Sequence, residues 1–141
     1  MEESLKNVLA NTFAMYLKAH GFHWNVEGPD FVQLHDFFGT LYLELFGAID
    51  PIAEHIRAID QYAPNSMARM IALADIKEVS NIPTAQAMVK QLESDNKIVM
   101  ASLMKAYQAA EKEKELGLAN FLQDRIDIHA KHGWMLRSIS K

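Results

Sequence analysis

The sequence predicts an all-α protein, a four-helix bundle with a crossover and a short helix in the long connection between its second and third helices. Apolar residues recur at intervals of three and four nearly throughout, and no segment alternates as a strand would. The long connection lies between the second and third apolar patterns, at residues 61–83. With 141 residues, 50% of them hydrophobic, the chain can bury the core of one domain, residues 1–141.

Two apolar stripes predict the first two helices. The first stripe gives a helix at residues 2–23, which ends near Trp24 because Gly28 and Pro29 break the chain. The second gives a helix of about 30 residues with Pro51 inside, where a missing backbone hydrogen bond should kink it. The two stripes consist of Leu9, Phe13, Tyr16, His20 and His23, and of Phe31, Leu34, Phe38, Leu41, Leu45, Ala48, Ile52 and Ile56.

The remaining helices follow from similar patterns. An apolar-rich piece from Met67 to Ile76 predicts a small helix within the connection, and Thr84 suits the N-cap of the third long helix. We expect Gly117 to interrupt the junction between the third and the last helix. The two stripes are Met88, Leu92, Val99, Leu103, Ala106 and Ala110, then Leu118, Leu122, Ile126 and Leu136.

Composition excludes several classes of function. There is no cysteine, so no disulfide, zinc–thiolate cluster or cysteine nucleophile exists. The net charge of −4 argues against a surface that coats nucleic acid. No apolar run approaches the ~20 residues of a membrane span, and the acidic start carries no apolar signal core. The sequence therefore predicts a soluble, cytoplasmic protein.

Histidines and carboxylates at particular spacings suggest a metal site. His23 and His35 lie near the junction of the first two helices, and Asp50 and Glu54 share one face of the second helix. Imidazole and carboxylate without thiolate suit iron, manganese or zinc. The competing interpretation is structural: histidines on an apolar stripe are usually hydrogen-bonded core or interface residues, and acidic pairs usually lie on a solvated helix face.

Helix geometry divides these residues into two half-sites. His35 and Asp50 are ~22 Å apart along one helix, too far to share an ion. The first helix must run antiparallel to the second, so His23 lies close to His35 and far from Asp50. If the residues bind one metal, a second copy of the chain must therefore supply the missing half, across a two-fold axis that creates two equivalent sites.

Several motifs resemble those of the Dps family, the mini-ferritins, over nearly the whole chain. The combined spacing of His23, His35, Asp50 and Glu54 is the most specific of them. The motifs are His23-Trp24-Asn25-Val26-Glu27-Gly28-Pro29, Leu34-His35, Ile49-Asp50-x-Ile52-Ala53-Glu54 and His132-Gly133-Trp134-Met135-Leu136-Arg137.

The resemblance implies ferritin-like four-helix subunits that assemble into a homododecameric shell. The shell would oxidise Fe(II), typically with hydrogen peroxide, and store the ferric mineral inside. This chemistry would protect against oxidative stress. His23 and His35 of one subunit would bind iron with Asp50 and Glu54 of its neighbour, in a two-iron centre. Trp24 would lie beside it, either intercepting stray oxidising equivalents or packing the interface.

The chain departs from the family at four places. Gly39 stands where an acidic ligand is usual in the family. The absence of that ligand should weaken binding of the second iron unless water or His20 replaces the acid. Gly39→Asp should therefore strengthen binding at that second position. Pro51 could re-aim Asp50. His55 replaces a frequent arginine and is expected at the surface or an interface. In the family, acidic residues near the start of the last helix line the pores through which iron enters, but the matching positions here are Leu116 and Asn120. Asp124, one turn further on, could still line a pore. Glu113 and Glu115 could lie at its mouth, although they are more simply ordinary surface acids.

Two interpretations of function remain, a ferroxidase and iron-storage shell or a shell without efficient oxidation, which Gly39 favours. DNA binding, common in the family through a lysine-rich tail, is not expected, because the sequence shows no such tail. His129 and His132 are predicted to be hydrogen-bonded structural residues rather than a second metal pair.

Overall fold

Four long helices and one short helix account for the ordered elements of the computed structural model, which describes all residues, 1–141. There is no strand, so the all-α prediction is confirmed. α1 packs against α2 and α4, α4 packs against α5, and the short α3 lies against α1. The helices are α1 (Glu2–Asn25), α2 (Phe31–Ala58), α3 (Met67–Leu73), α4 (Ala85–Lys112) and α5 (Leu116–Ser140).

The buried core confirms the stripes of the later helices and corrects that of α1. In α2 every predicted stripe residue except Phe31 is buried. In α1 only Leu9 of the predicted stripe is buried, whereas Leu5, Val8, Met15, Ala19 and Phe22 face the core. The rest of that stripe is half-buried, and Tyr16, His20 and His23 of it contact α2. Its aromatic and histidine side chains therefore build a surface site, not the core.

The helix ends show where the chain turns. Thr84 is the N-cap of α4, as predicted, since its side chain accepts a hydrogen bond from the Ala87 amide at 3.2 Å. The prediction of a break at Gly117 is wrong. The turn lies at Lys114, whose φ is 60°, and the Glu115 amide bonds back to the Ala110 carbonyl as in a Schellman motif. Gly117 is already inside α5.

A polar cluster fixes the connection after α3 to α1. The buried Asn11 side chain accepts hydrogen bonds from the backbone amides of Asp75 and Ile76, at 2.7 and 3.3 Å. Its amide nitrogen donates to the Asp75 carboxylate, as does that of Asn7. These bonds hold the pKa of Asp75 below its usual range. The segment is therefore tied down by hydrogen bonds that apolar periodicity does not reveal.

None of the helices combines the length and the apolar character that crossing a lipid bilayer requires.

Candidate metal centre

His23 and His35 hold each other in a reciprocal arrangement between α1 and α2. Their rings are stacked, with centroids 3.8 Å apart and 16° between the planes. Nδ1 of His23 lies 2.7 Å from the His35 carbonyl oxygen, and Nδ1 of His35 lies 2.6 Å from the His23 carbonyl oxygen. The structure thus brings the two histidines together, as the antiparallel geometry predicts.

These hydrogen bonds determine which ring nitrogen can bind a metal. A carbonyl oxygen only accepts, so Nδ1 must carry the proton in both rings. In the neutral imidazoles Nε2 then keeps its lone pair, and neither Nε2 has a hydrogen-bond partner within the chain. Metal-binding histidines are commonly oriented in this way by a carbonyl behind the ring. The His23 carbonyl is available because it belongs to the last turn of α1, where carbonyls lack helical partners.

Gly39 makes the approach of His23 to α2 possible. A Cβ atom at position 39 would lie 3.1 Å from Cε1 and 3.2 Å from Nδ1 of His23. This is closer than an ordinary van der Waals contact, so any side chain there would push the ring outward. The glycine therefore removes the family's usual acid and at the same time provides the space in which His23 reaches the His35 carbonyl.

Aromatic residues surround the histidine pair. The His20 ring is stacked on Tyr42 at 3.7 Å and 7°, and its Nδ1 lies 3.0 Å from the Tyr16 hydroxyl. Burial, and secondarily the charge of nearby His23, lowers the pKa of His20. Trp24 lies 4.2 Å from His20, ring centre to ring centre, and is 60% exposed. Exposure of so large an indole leaves it free to pack against another chain.

Sequence reasoning missed the roles of Tyr16 and Tyr42, although their spacing contains a signal. Tyr16 precedes His20 by four positions, and Tyr42 follows His35 by seven, so each shares a helix face with a histidine. The contacts between the two helices could not be read from spacing alone.

Asp50 and Glu54 lie on the exposed side of α2 and make no hydrogen bond or ion pair within the chain. α2 continues through Pro51, so the two carboxylates keep their helical spacing of four. No group of three histidine, aspartate or glutamate side chains in one chain is arranged to hold a metal ion. The structure therefore contains the imidazole pair and the carboxylate pair as separate units.

The structure also places the other residues at which the sequence departs from the expected pattern. His55 packs on Phe121 of α5, with ring centres 4.5 Å apart, and is half-buried inside the chain. The ring thus lies partly at the surface, as expected, and also contacts α5, while a contact with another subunit stays a prediction. Leu116, Asn120 and Asp124 are exposed along the start of α5.

A buried polar network lies at α2, α4 and α5, away from the histidine pair. Arg125 donates to both oxygens of Glu44, His132 contacts Glu44 at 2.8 Å, and Nδ1 of His129 lies 2.7 Å from the Asn96 side-chain oxygen. His129 and His132 are hydrogen-bonded structural residues, as predicted. Glu44, the partner of His132 and Arg125, was not singled out from the sequence, because it stands alone on an otherwise apolar helix segment.

The network shifts two ionisation equilibria. Burial alone would raise the pKa of Glu44, but hydrogen bonds from His132 and Arg125, with the charge of Arg125, lower it to about 2. Burial and the Arg125 cation hold the pKa of His129 well below its usual range. Glu44 is therefore ionised and His129 neutral at physiological pH.

The family model described as a ferritin-like domain matches residues 2–141. A "DNA protection during starvation protein" of Brevibacillus brevis is 35% identical over 135 residues, covering 95% of this chain and 90% of that protein. This chain belongs to the Dps family. A relative from Bacillus anthracis, "DNA protection during starvation protein 2", is 32% identical, over 96% of this chain and 93% of that one.

Solved structures agree with this membership. The Dps protein from Bacillus brevis superposes with a TM-score of 0.95 at 32% identity, covering 99% of this chain and 94% of that one. The Dps protein from Vibrio cholerae O1 also has a TM-score of 0.95, at 27% identity, covering 99% and 88% of the two chains. That protein is described as a member of a broad superfamily of ferritin-like diiron-carboxylate proteins.

Proposed function

We propose that the protein is a ferroxidase and iron-storage mini-ferritin, whose centres form between subunits. Fe(II) binds His23 and His35 of one subunit together with Asp50 and Glu54 of its neighbour. The observation that carries the proposal is the reciprocal hydrogen bonding of His23 and His35, which fixes both rings as Nε2 ligands before any metal arrives.

Two ions per centre fit the histidine geometry better than one. The ring centres are 3.8 Å apart. The rings are nearly parallel, so their Nε2 atoms cannot both point at one ion without the stack opening, and each ring would hold its own ion. Asp50 and Glu54 of the neighbouring subunit would supply carboxylate oxygens to the two ions and balance part of their charge.

Exposed apolar side chains near the histidine pair support an interface with a second subunit. Trp24, Leu43 and Phe46 are 60%, 60% and 58% exposed on the adjoining surfaces of α1 and α2. Large apolar side chains clustered in this way usually mark an interaction surface. Docking a second copy here about a two-fold axis would bury these side chains and bring the partner's carboxylates close to the histidine pair. Twelve subunits closing into a shell follow from the family resemblance.

The proposed reaction balances. Two Fe(II) ions give up one electron each, and one hydrogen peroxide molecule takes both electrons with two protons and leaves as two water molecules. The ferric ions then hydrolyse and are stored as mineral inside the shell. Because peroxide is reduced by two electrons at once, no hydroxyl radical is released, which would protect the cell from oxidative stress.

A second candidate is a shell without efficient oxidation, favoured by Gly39, which offers no ligand to the second ion. We do not expect strong DNA binding in either case, since the chain's net charge is −4.

Iron oxidation, followed by the absorbance of the ferric product with peroxide or oxygen, distinguishes the two candidates. Wild type should oxidise Fe(II) rapidly, and His35→Ala and Glu54→Ala should both be at least tenfold slower with the assembly mass unchanged. Asp127→Ala, which removes another exposed acid, is the control and should retain the wild-type rate. A slow wild type that neither substitution slows further would establish the second candidate.

A further inference from the structure

His20 lies close enough to His23 to be a third metal-binding imidazole, although no carboxylate lies near it. It is one turn before His23 on the same flank of α1, and the two ring centres are 6.2 Å apart. Its ring is held by the stack on Tyr42, which leaves it little freedom to rotate. Gly39, on the facing helix, offers no donor atom in this region, so a metal ion beside His23 has an open coordination position.

The separation suits a shared ion. A ring whose nitrogen is ~2.1 Å from a metal has its centre ~3.3 Å from that metal, so two rings on one ion have centres up to ~6.6 Å apart. The 6.2 Å between His20 and His23 falls within this limit. The 54° angle between the planes shows that the two rings are not stacked, so their edges can face a common point. His23 thus relates differently to its two histidine neighbours, stacked on His35 and angled to His20.

The hydrogen-bond partners of the three rings also differ in a useful way. Nδ1 of His23 and of His35 faces a carbonyl, which only accepts, but Nδ1 of His20 faces the Tyr16 hydroxyl, which can donate or accept. When Nδ1 of His20 donates to the Tyr16 oxygen, its Nε2 becomes a free ligand. His20 can therefore switch to its metal-binding tautomer through the Tyr16 hydroxyl, whereas the carbonyl partners of His23 and His35 hold theirs at all times.

We propose that His20 is a third imidazole ligand, which joins His23 on one ion and makes that position rich in nitrogen. This inference rests on the proposed function, because it uses the same centre. Nitrogen ligands favour Zn²⁺ and Co²⁺ over Mn²⁺, which prefers oxygen. The centre should therefore bind the first two ions more tightly than one built from carboxylates, and Zn²⁺ should compete with Fe(II) for it.

The test is metal binding by the assembled, metal-free protein, titrated with Co²⁺ alone and followed by its visible absorption. His20→Phe keeps the ring that stacks on Tyr42 and removes the nitrogens. It should lower Co²⁺ affinity at one position by about tenfold and change the spectrum, while Mn²⁺ affinity stays within about twofold. His55→Phe, which alters a histidine packed elsewhere, should bind Co²⁺ as wild type does.

Direct structure determination covers the case in which His20→Phe does not assemble. A crystal of the wild-type protein soaked in Co²⁺ should show His20 Nε2 ~2.1 Å from the ion held by His23. A coordination shell without His20, or His20→Phe with unchanged affinity and spectrum, overturns the inference. Glu54→Ala separates this failure from that of the proposed function: if it weakens Co²⁺ binding while His20→Phe does not, only the third ligand is wrong. If neither variant changes Co²⁺ binding, the proposed centre itself is wrong.

Discussion

His23 and His35 each donate from Nδ1 to the backbone carbonyl of the other, at 2.7 and 2.6 Å. Both bonds cross between α1 and α2, so neither ring can turn without breaking a contact with the opposite helix. Ligand orientation is thus coupled to the packing of two helices, and a disturbance of one histidine is passed to the other.

Gly39→Ala should weaken metal binding without weakening the fold elsewhere. The new Cβ would lie 3.1 Å from His23 Cε1 and would push the ring away from the His35 carbonyl. We expect several-fold slower Fe(II) oxidation and weaker Co²⁺ binding. Gly47→Ala is the matched control on the same helix, because a Cβ there meets nothing within 4 Å. It should leave oxidation unchanged and raise stability by ~0.5–1 kcal/mol through better helix propensity.

Gly39→Asp has a less simple effect than the sequence alone predicts. The acid would add a ligand for the second ion, but its Cβ meets the same His23 ring. We expect a gain in iron stoichiometry at the second position together with a loss of affinity at the position of His23. Calorimetric titration with Fe(II) under anaerobic conditions measures both. Tighter binding at both positions would show that His23 moves aside without cost.

Mixed assemblies test whether the centre lies between subunits. His35→Ala chains retain Glu54, and Glu54→Ala chains retain both histidines, so a dimer of the two contains one intact centre. Random pairing of equal amounts should restore about a quarter of the wild-type centres and a similar share of the oxidation rate. Shells of either variant alone should stay inactive. Co-expressed shells as inactive as the single variants would contradict a shared centre.

Glu44 should make stability depend on pH in the acid range. Its pKa is lowered to about 2 from 4.5, so its contribution is complete above pH 4.5 and is lost as the pH falls towards 2. The shift corresponds to an upper bound of about 3.4 kcal/mol, which the partial exposure of the side chain reduces. Glu44→Gln should be less stable at pH 7 and lose less stability on acidification, measured by urea unfolding at pH 7 and 3. Asp127→Asn, an exposed acid, should follow the wild-type curve.

DNA binding should be weak. With a net charge of −4, the chain has no excess of cations with which to neutralise phosphates. Linear duplex DNA mixed with the assembled protein at physiological salt should migrate in a gel as free DNA does. A clear shift that disappears as salt is raised would refute this expectation and would indicate a local basic surface.

Sequence periodicity predicted where the long helices lie, because residues three and four apart share a helix face wherever that helix is packed. It predicted α2 and the cap at Thr84 correctly, and it separated the histidine pair from the carboxylate pair. It failed for α1, where aromatic residues on the flank of the site imitate a core stripe. It also failed at the end of α4. The left-handed conformation of Lys114 ends that helix, whereas the sequence favoured an interruption at Gly117.

By itself, the sequence determined the secondary structure and the division of the candidate ligands into two half-sites, since both depend on distances measured along one helix. Only the tertiary structure decided the rest: the carbonyl partners of His23 and His35, the space above Gly39, the stack of His20 on Tyr42 and the pairing of Glu44 with Arg125. Each of these is a contact between residues on different helices. Such contacts depend on how far one helix is rotated and shifted against another, which local spacing does not specify.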